Sequence, residues 1–127
     1  MKSKRLVIVA LTFGLLIVSR STYAHHGVAM FDMAHVTTVK GTVTDFEWTN
    51  PHAYVVLDVK DDKGNVEKWS AELSSPGMLG RVGSRKNMVK PGDQITAVGN
   101  RAKDGRSSMR LEKVIFADGQ ELSAILL

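Results

Sequence analysis

The stretch from Val36 to Trp69 most constrains the fold, because its apolar residues recur with a period of two. Every second residue from Ala53 to Val59 is apolar, and Asp61–Asn65 is rich in turn-forming residues. This period is typical of a strand with one buried face, and the Asp/Asn/Gly-rich segment favours a hairpin connection. The stretch therefore predicts a three-stranded meander whose third strand runs from Val66 to Leu73.

The first strand of this meander changes its inward face along its length. Val39, Gly41 and Val43 share one parity, whereas Phe46 and Trp48 have the opposite parity. In a regular strand, residues of opposite parity point to opposite faces of the sheet. A β-bulge adds one residue to the strand, so residues on either side of it can share a face although their parities differ. We therefore predict a β-bulge at Thr44-Asp45 that bends this strand, as a barrel requires.

A short helix and two further strands complete the predicted domain. Ser74-Ser75-Pro76 supplies a helix N-cap with proline at the first helical position, and Met78, Leu79 and Val82 form a short apolar face. The turns Lys90–Asp93 and Asp104-Gly105 then delimit strands at Gln94–Gly99 and Ser108–Phe116, which an apolar tail, Leu122–Leu127, follows.

The element order β-β-β-α-β-β predicts an all-β protein with one short helix. It is the order of a small five-stranded, OB-fold-like Greek-key barrel. Another small barrel or a sandwich would share it. We expect the barrel domain to span residues 36–127, preceded by an N-terminal segment, residues 25–35, whose first residues could be disordered and solvated.

Residues 1–24 have the three parts of a secretory signal peptide. Lys2, Lys4 and Arg5 precede the apolar run Leu6–Val18, and the small-residue site Thr22-Tyr23-Ala24 follows. The run has 13 residues, whereas a membrane-spanning helix needs ~20. We therefore predict a protein secreted to the bacterial periplasm and not integral to the membrane after cleavage. The absence of cysteine implies a fold without disulfides.

The mature chain would be neutral. Removing residues 1–24 leaves 13 basic and 13 acidic residues, which removes the electrostatic argument for nucleic-acid binding. The charges are uneven, since residues 81–113 carry a net +6 and residues 25–80 a net −4. These charged residues either lie on solvated loops and strand faces or form a basic rim that binds a small anionic ligand.

Several motifs of this chain resemble a bacterial family of short exported proteins known as domain of unknown function 6152. They are His25-His26-Gly27, Met30-Phe31-Asp32, Gly41-Thr42-Val43, Phe46-Glu47-Trp48-Thr49-Asn50-Pro51-His52, Trp69-Ser70-Ala71-Glu72 and Lys90-Pro91-Gly92-Asp93. In that family a serine usually follows the two histidines and a tryptophan often follows the glycine at Gly83; this chain has Gly27 and Ser84 there. The resemblance implies an exported single-domain protein and assigns no activity.

All four histidines lie within residues 25–52, and cleavage after Ala24 would expose the first two at the terminus. A terminal α-amine, its own imidazole and a second imidazole form a three-nitrogen set that suits copper, and thioethers suit its reduced state. The candidate metal ligands are His25, His26, His35, His52, Met30 and Met33. The competing interpretation is a solvated terminus, surface methionines and a locally hydrogen-bonded His52.

Other candidate ligand-binding residues belong to the loops and strand faces. Aromatic and amide groups could form a stacking platform for a ligand. Trp69 is assigned to the core instead. Arginines could form the basic edge. These candidates are Trp48, Asn50, Tyr54, Arg81, Arg85, Arg101 and Arg106. No nucleophile motif is present. We therefore predict a non-enzymatic binding module, or alternatively an envelope interaction protein that recruits an anionic polymer or a protein partner.

Overall fold

The computed structural model describes residues 27–124, which form a five-stranded barrel with one short α-helix and one additional strand. The predicted signal peptide, His25 and His26 lie outside the described residues. A 3₁₀ helix, Val28–Met30, precedes the barrel. The elements are β1 (Thr37–Glu47), β2 (Tyr54–Lys60), β3 (Val66–Glu72), α1 (Pro76–Arg81), β4 (Gln94–Arg101), β5 (Ser108–Phe116) and β6 (Glu121–Ser123).

The strands are hydrogen-bonded in the order β3-β2-β1-β4-β5-β6. A parallel pairing of β3 with β5, from Ser70 opposite Ser108 to Glu72 opposite Arg110, closes the first five strands into a barrel. All other neighbours are antiparallel. This closure, with α1 between β3 and β4, confirms the predicted small OB-fold-like barrel.

The predicted bulge in β1 is present. The register with β2 shifts between Val43 and Asp45, so Thr44 is the inserted residue. Val43 and Phe46 are consequently both buried although their parities differ. The predicted position of the bulge is therefore confirmed. The bend lets β1 pair with β4 through its first half and with β2 through its second half.

A second irregularity in β4 was not predicted. The register with β5 shifts between Val98 and Gly99. A Cβ atom built on Gly99 would lie 2.1 Å from the carbonyl oxygen of Arg110, so only glycine allows the two backbones to approach this closely.

The barrel interior takes alternate residues from each strand. In β2 and β3 these are Val55, Leu57, Trp69 and Ala71, each at most 5% exposed. Trp69 is therefore a core residue, as its parity predicted. The same alternation sends the intervening side chains to the outer face, where the candidate site lies.

Helix α1 begins as predicted but packs differently. Ser75 is the N-cap, and its Oγ accepts a hydrogen bond from the Met78 backbone N–H at 3.3 Å. Only Leu79 is buried, whereas Met78 and Val82 are 57% and 46% exposed. A helix of six residues presents little more than one position to the barrel, so the expected three-residue apolar face is reduced to one residue.

Strand β6 was predicted only as part of an apolar tail. It pairs with β5 through a hairpin closed at Asp118-Gly119, where the Gln120 N–H donates to Asp118 Oδ1 at 2.9 Å. No helix within residues 27–124 has the length and apolar character needed to cross a membrane.

Candidate functional site

A cavity of about 750 Å³ lies where the β1–β2 and β4–β5 loops meet the outer face of β2 and β3. In OB-folds this face and these two loops form the usual ligand-binding position. The volume falls within the range of small-molecule and cofactor sites. The lining residues are Gly27, Met30, Phe31, Pro51, His52, Tyr54, Ser70, Glu72, Arg106, Ser107 and Ser108.

The N-terminal segment forms one wall of the cavity. Phe31 anchors this segment, because its side chain is 3% exposed and its backbone forms a β-bridge with Ala102. The Asp32 N–H donates to the Arg101 carbonyl at 2.8 Å, and the Lys103 N–H donates to the Met30 carbonyl at 2.9 Å. Gly27, the first described residue, is thereby brought to the cavity.

His52 is brought beside Glu72 by an extension of the β2–β3 pairing. The Ala53 N–H donates to the Ser74 carbonyl at 3.1 Å, and the Leu73 N–H donates to the Ala53 carbonyl at 2.9 Å. His52 Nδ1 then lies 2.9 Å from Glu72 Oε1, and the two side chains are 38% and 15% exposed. This contact places the Glu72 carboxylate next to the His52 ring at the cavity.

Tyr54 lies between two carboxylates on the outer face. It pairs with Glu47 of β1 and with Glu72 of β3. Partial burial raises the pKa of the Tyr54 phenol, the charges of Glu72 and Glu47 raise it further, and Arg106 opposes them. Tyr54 therefore lies among charges of both signs at the edge of the cavity.

The β4–β5 loop that carries Arg106 is held in place by contacts with β3. The Arg101 guanidinium lies 5.0 Å from the centroid of the Trp69 ring and donates to the carbonyl oxygens of Gly105 at 2.6 Å and of Arg106 at 3.3 Å. Glu67 accepts hydrogen bonds from Trp69 Nε1 at 3.1 Å and from the Ser107 hydroxyl. Arg106 itself forms an ion pair with Asp104 at 3.2 Å.

Of the residues predicted from the sequence, Met30, His52, Tyr54 and Arg106 line this cavity. His35 does not; its Nδ1 contacts Asp32 Oδ2 at 2.8 Å in an 81% exposed position, and this hydrogen bond lowers the pKa of Asp32. Met33 is 50% exposed.

The remaining predicted residues are also placed outside the cavity lining. The Trp48 ring packs edge-on against Phe46, with centroids 5.5 Å apart, and Asn50, in a cis peptide bond with Pro51, is exposed. Arg81 ends α1 and Arg85 follows it, both exposed, while Arg101 supports the loop. The structure therefore brings one of the four predicted arginines to the cavity.

Residues 27–124 contain no group of three or more His, Asp or Glu side chains able to hold a metal ion. His52 is the histidine among the described residues that line the cavity, and Met30 and Glu72 line it as well. Any three-nitrogen set at this cavity therefore requires His25 or His26, which immediately precede Gly27 in the sequence.

Glu72 lines the cavity but was not predicted as a site residue. The signal was present, since Glu72 has the opposite parity to the core residues Trp69 and Ala71 and therefore faces outwards. Its partner, His52, lies 20 positions away and is joined to it only through strand pairing.

The fold and the cavity define a small OB-like barrel with a ligand-sized cavity at the usual OB-fold binding position. A sequence family described as a family of unknown function, DUF6152, matches residues 13–110, which is well over half of the chain. The chain belongs to this family, as the sequence resemblance predicted. Neither a curated protein nor a solved structure matches it.

Proposed function

We propose that this protein is an exported binding module that holds one Cu(II) ion at the cavity beside its mature N-terminus. The ligands are the α-amine and imidazole of His25 and the imidazole of His52. The observation that carries the proposal is that Gly27 and His52 line the same cavity, and that His25 and His26 immediately precede Gly27 in the sequence.

The reach of the terminus supports this ligand set. His25 lies two positions before Gly27, and consecutive Cα atoms are about 3.8 Å apart, so the length of chain before Gly27 is compatible with a ligand set that includes His25. Among the described histidines, His52 lines the cavity and His35 does not. The Met30 thioether lines the same cavity, and thioethers suit copper in its reduced state.

The experiment measures Cu(II) affinity by calorimetry on protein purified from the periplasm. Mass spectrometry should first show a chain that begins at His25. His52→Ala should then weaken binding by more than about 100-fold, since losing an outer-sphere carboxylate alone typically costs about 10–100-fold. The matched control is His35→Ala, which removes a histidine that also contacts a carboxylate but lies outside the cavity lining.

A second variant tests the terminal amine. One glycine added before His25 moves the amine away from the imidazole and leaves every imidazole in the chain, so binding should weaken sharply. Affinity should also fall as the pH drops below the ordinary amine and imidazole pKa values of ~7.7–8.0 and ~6.5, because protons compete for the nitrogens.

Equal affinity in the wild-type protein, the His52→Ala variant and the glycine-extended protein would overturn the copper proposal. A mature chain that begins at Thr22, after the alternative cleavage site Ser19-Arg20-Ser21 with its two small serines, would remove the terminal chelate as well. The interaction with an anionic polymer or protein would then take first place, with Arg106 at the cavity as its starting point.

A further inference from the structure

We infer that the outer face of β1 and β2 carries a separate site, which binds the phosphate group of a small molecule between Lys40 and Lys60. A groove of about 550 Å³ lies on this face, a volume typical of small-molecule sites. Lys40, Thr42 and Gln94 line it from β1 and β4, and Asp58, Lys60 and Val66 line it from β2 and β3. None of these residues lines the cavity at the N-terminal segment, so the inference does not depend on copper.

The groove opens where β1 and β2 cease to pair. The last backbone pair between them is Thr42 with Asp58. Beyond this pair β1 continues to Thr37 beside β4, whereas β2 continues to Lys60 beside β3. Each of the two strands therefore contributes one lysine to the groove, Lys40 from β1 and Lys60 from β2.

These two lysines differ from Lys68, the lysine on the neighbouring part of the same face. Lys68 Nζ lies 3.0 Å from Asp58 Oδ1, so it neutralises the carboxylate that lines the groove. Lys40 and Lys60 take part in none of the ion pairs within residues 27–124. Like charges on neighbouring strands destabilise a sheet. An anion held between the two ammonium groups would remove this repulsion.

The acidic turn that follows Lys60 does not supply that anion. Asp61 Oδ1 accepts hydrogen bonds from the backbone N–H groups of Lys63 and Asn65, both at 2.8 Å, and Asp61 Oδ2 accepts one from Asn65 Nδ2 at 2.8 Å. Both oxygens of this carboxylate are thus engaged within the turn. Neither Asp61 nor Asp62 lines the groove.

The Thr42 hydroxyl adds a neutral donor to the two ammonium groups. Gln94 Nε2 donates to Thr42 Oγ1 at 2.7 Å, so the hydroxyl acts as the acceptor in this bond. A hydroxyl also has one proton to donate, and that proton can bind a ligand oxygen. A phosphate group has three acceptor oxygens and about two negative charges, and lysine commonly binds it as a point charge.

Val66 indicates that the phosphate group belongs to an organic molecule. Its side chain lines the groove and is 55% exposed. Covering an exposed apolar side chain favours binding, and inorganic phosphate has no apolar part with which to cover it. The class of ligand that fits the groove is therefore a phosphate monoester with a small apolar substituent.

NMR titrations of the purified protein test this site with phenyl phosphate, inorganic phosphate and benzoate at one ionic strength. Phenyl phosphate should give saturable shifts of backbone amides at residues 40–42 and 58–60. Inorganic phosphate should bind more weakly because it lacks the ring. Benzoate should bind most weakly, because it keeps the ring but carries one negative charge. Benzoate binding as tight as that of phenyl phosphate would overturn the assignment to phosphate.

Variants with opposite expected effects test the residues. Lys40→Gln and Lys60→Gln should each weaken phenyl phosphate binding about fivefold, the upper range for an exposed ion pair. Asp58→Asn should strengthen binding, because it removes the carboxylate from the lining and releases Lys68. Lys86→Gln is the matched control. It changes the net charge by the same amount at an exposed position outside the groove lining, so its affinity should stay near that of the wild type.

Two results with these variants would overturn the inference. One is equal affinity of the wild type and the Lys40→Gln, Lys60→Gln double variant. The other is a loss in Lys86→Gln as large as the loss in the groove variants, which would mean that the ligand responds to net charge alone. The wild-type titration decides the question even if a lysine variant fails to fold, since the absence of saturable shifts at residues 40–42 and 58–60 contradicts the site.

Discussion

The inner and outer faces of the β2–β3 pair differ completely although their residues alternate along the same strands. Val55 and Ala71 face inwards and are at most 1% exposed. Their neighbours in sequence, Tyr54 and Glu72, line the cavity on the outer face. The inner face is filled by apolar contacts, whereas the outer face carries a phenol, a carboxylate and an imidazole around a volume of about 750 Å³.

Because of this difference, neighbouring positions of one strand contribute to different properties: the inward-facing residues to the stability of the fold and the outward-facing residues to the cavity. The free energy of folding depends mainly on apolar area removed from water, which the inner face supplies. The outer face near the cavity is only partly covered and can carry polar groups without a large folding cost, since they remain hydrogen-bonded or reach solvent. Substitutions on the two faces should therefore affect different measurements.

The largest expected effect is on the inner face. Trp69→Ala should lower the free energy of unfolding by about 3–5 kcal/mol, because the indole is buried and its removal leaves a cavity. Tyr54→Ala, on the partly exposed outer face, should cost much less. Chemical denaturation of both variants checks the difference, and equal losses would show that the two faces are not distinct in their contribution to folding.

A smaller effect is expected where two backbones meet. Gly99→Ala should cost about 1–3 kcal/mol, because the new Cβ atom would lie 2.1 Å from the Arg110 carbonyl oxygen and would force β4 away from β5. Gly80→Ala in α1 is the control. Nothing lies within 4 Å of a Cβ atom at Gly80, and alanine favours a helix interior by up to ~1 kcal/mol over glycine.

Thermal unfolding of the two glycine variants measures these opposite signs. A Gly99→Ala protein as stable as the wild type would mean that the β4 bulge relaxes without cost. A destabilised Gly80→Ala protein would mean that α1 needs a flexible backbone at this position, which its open surroundings do not suggest.

The parts of the fold that depend on local pattern were predictable from the sequence. The parity change between Val43 and Phe46 located the bulge, and Ser75-Pro76 located the start of α1, because both features are determined by neighbouring residues. Strand β6 also had a local signal, the hairpin-forming pair Asp118-Gly119. Its three residues were too few for their alternation to stand out from the apolar tail.

The parts that depend on distant residues were not predictable in the same way. The pairing of His52 with Glu72 joins residues 20 positions apart, and the packing of Phe31 against the β4–β5 loop joins the first described residues to the fourth and fifth strands. The histidine and methionine candidates were grouped by their nearness in the sequence, which could not show that Met30 and His52 share a cavity that His35 does not line.

The smallest expected effect concerns Glu67, which connects β3 to the β4–β5 loop beside the cavity. Hydrogen bonds from Ser107 and Trp69 lower the pKa of Glu67 from its ordinary value of 4.5. The unfolded chain therefore binds this proton more readily than the folded protein, so the stabilisation is present above about pH 4.5 and is lost as the pH falls through the lower folded pKa. The wild-type protein should accordingly lose its stability advantage over Glu67→Gln in this acidic range.

Denaturation midpoints of the two proteins between about pH 3 and pH 7 measure this loss. The control is Asp62→Asn in the exposed β2–β3 turn, which removes a carboxylate and leaves the Glu67 hydrogen bonds to Trp69 and Ser107 in place. A constant difference between wild type and Glu67→Gln across the whole range would show that the Glu67 contacts stabilise the loop through geometry alone. The outer face would then contribute to folding without any dependence on its carboxylate charge.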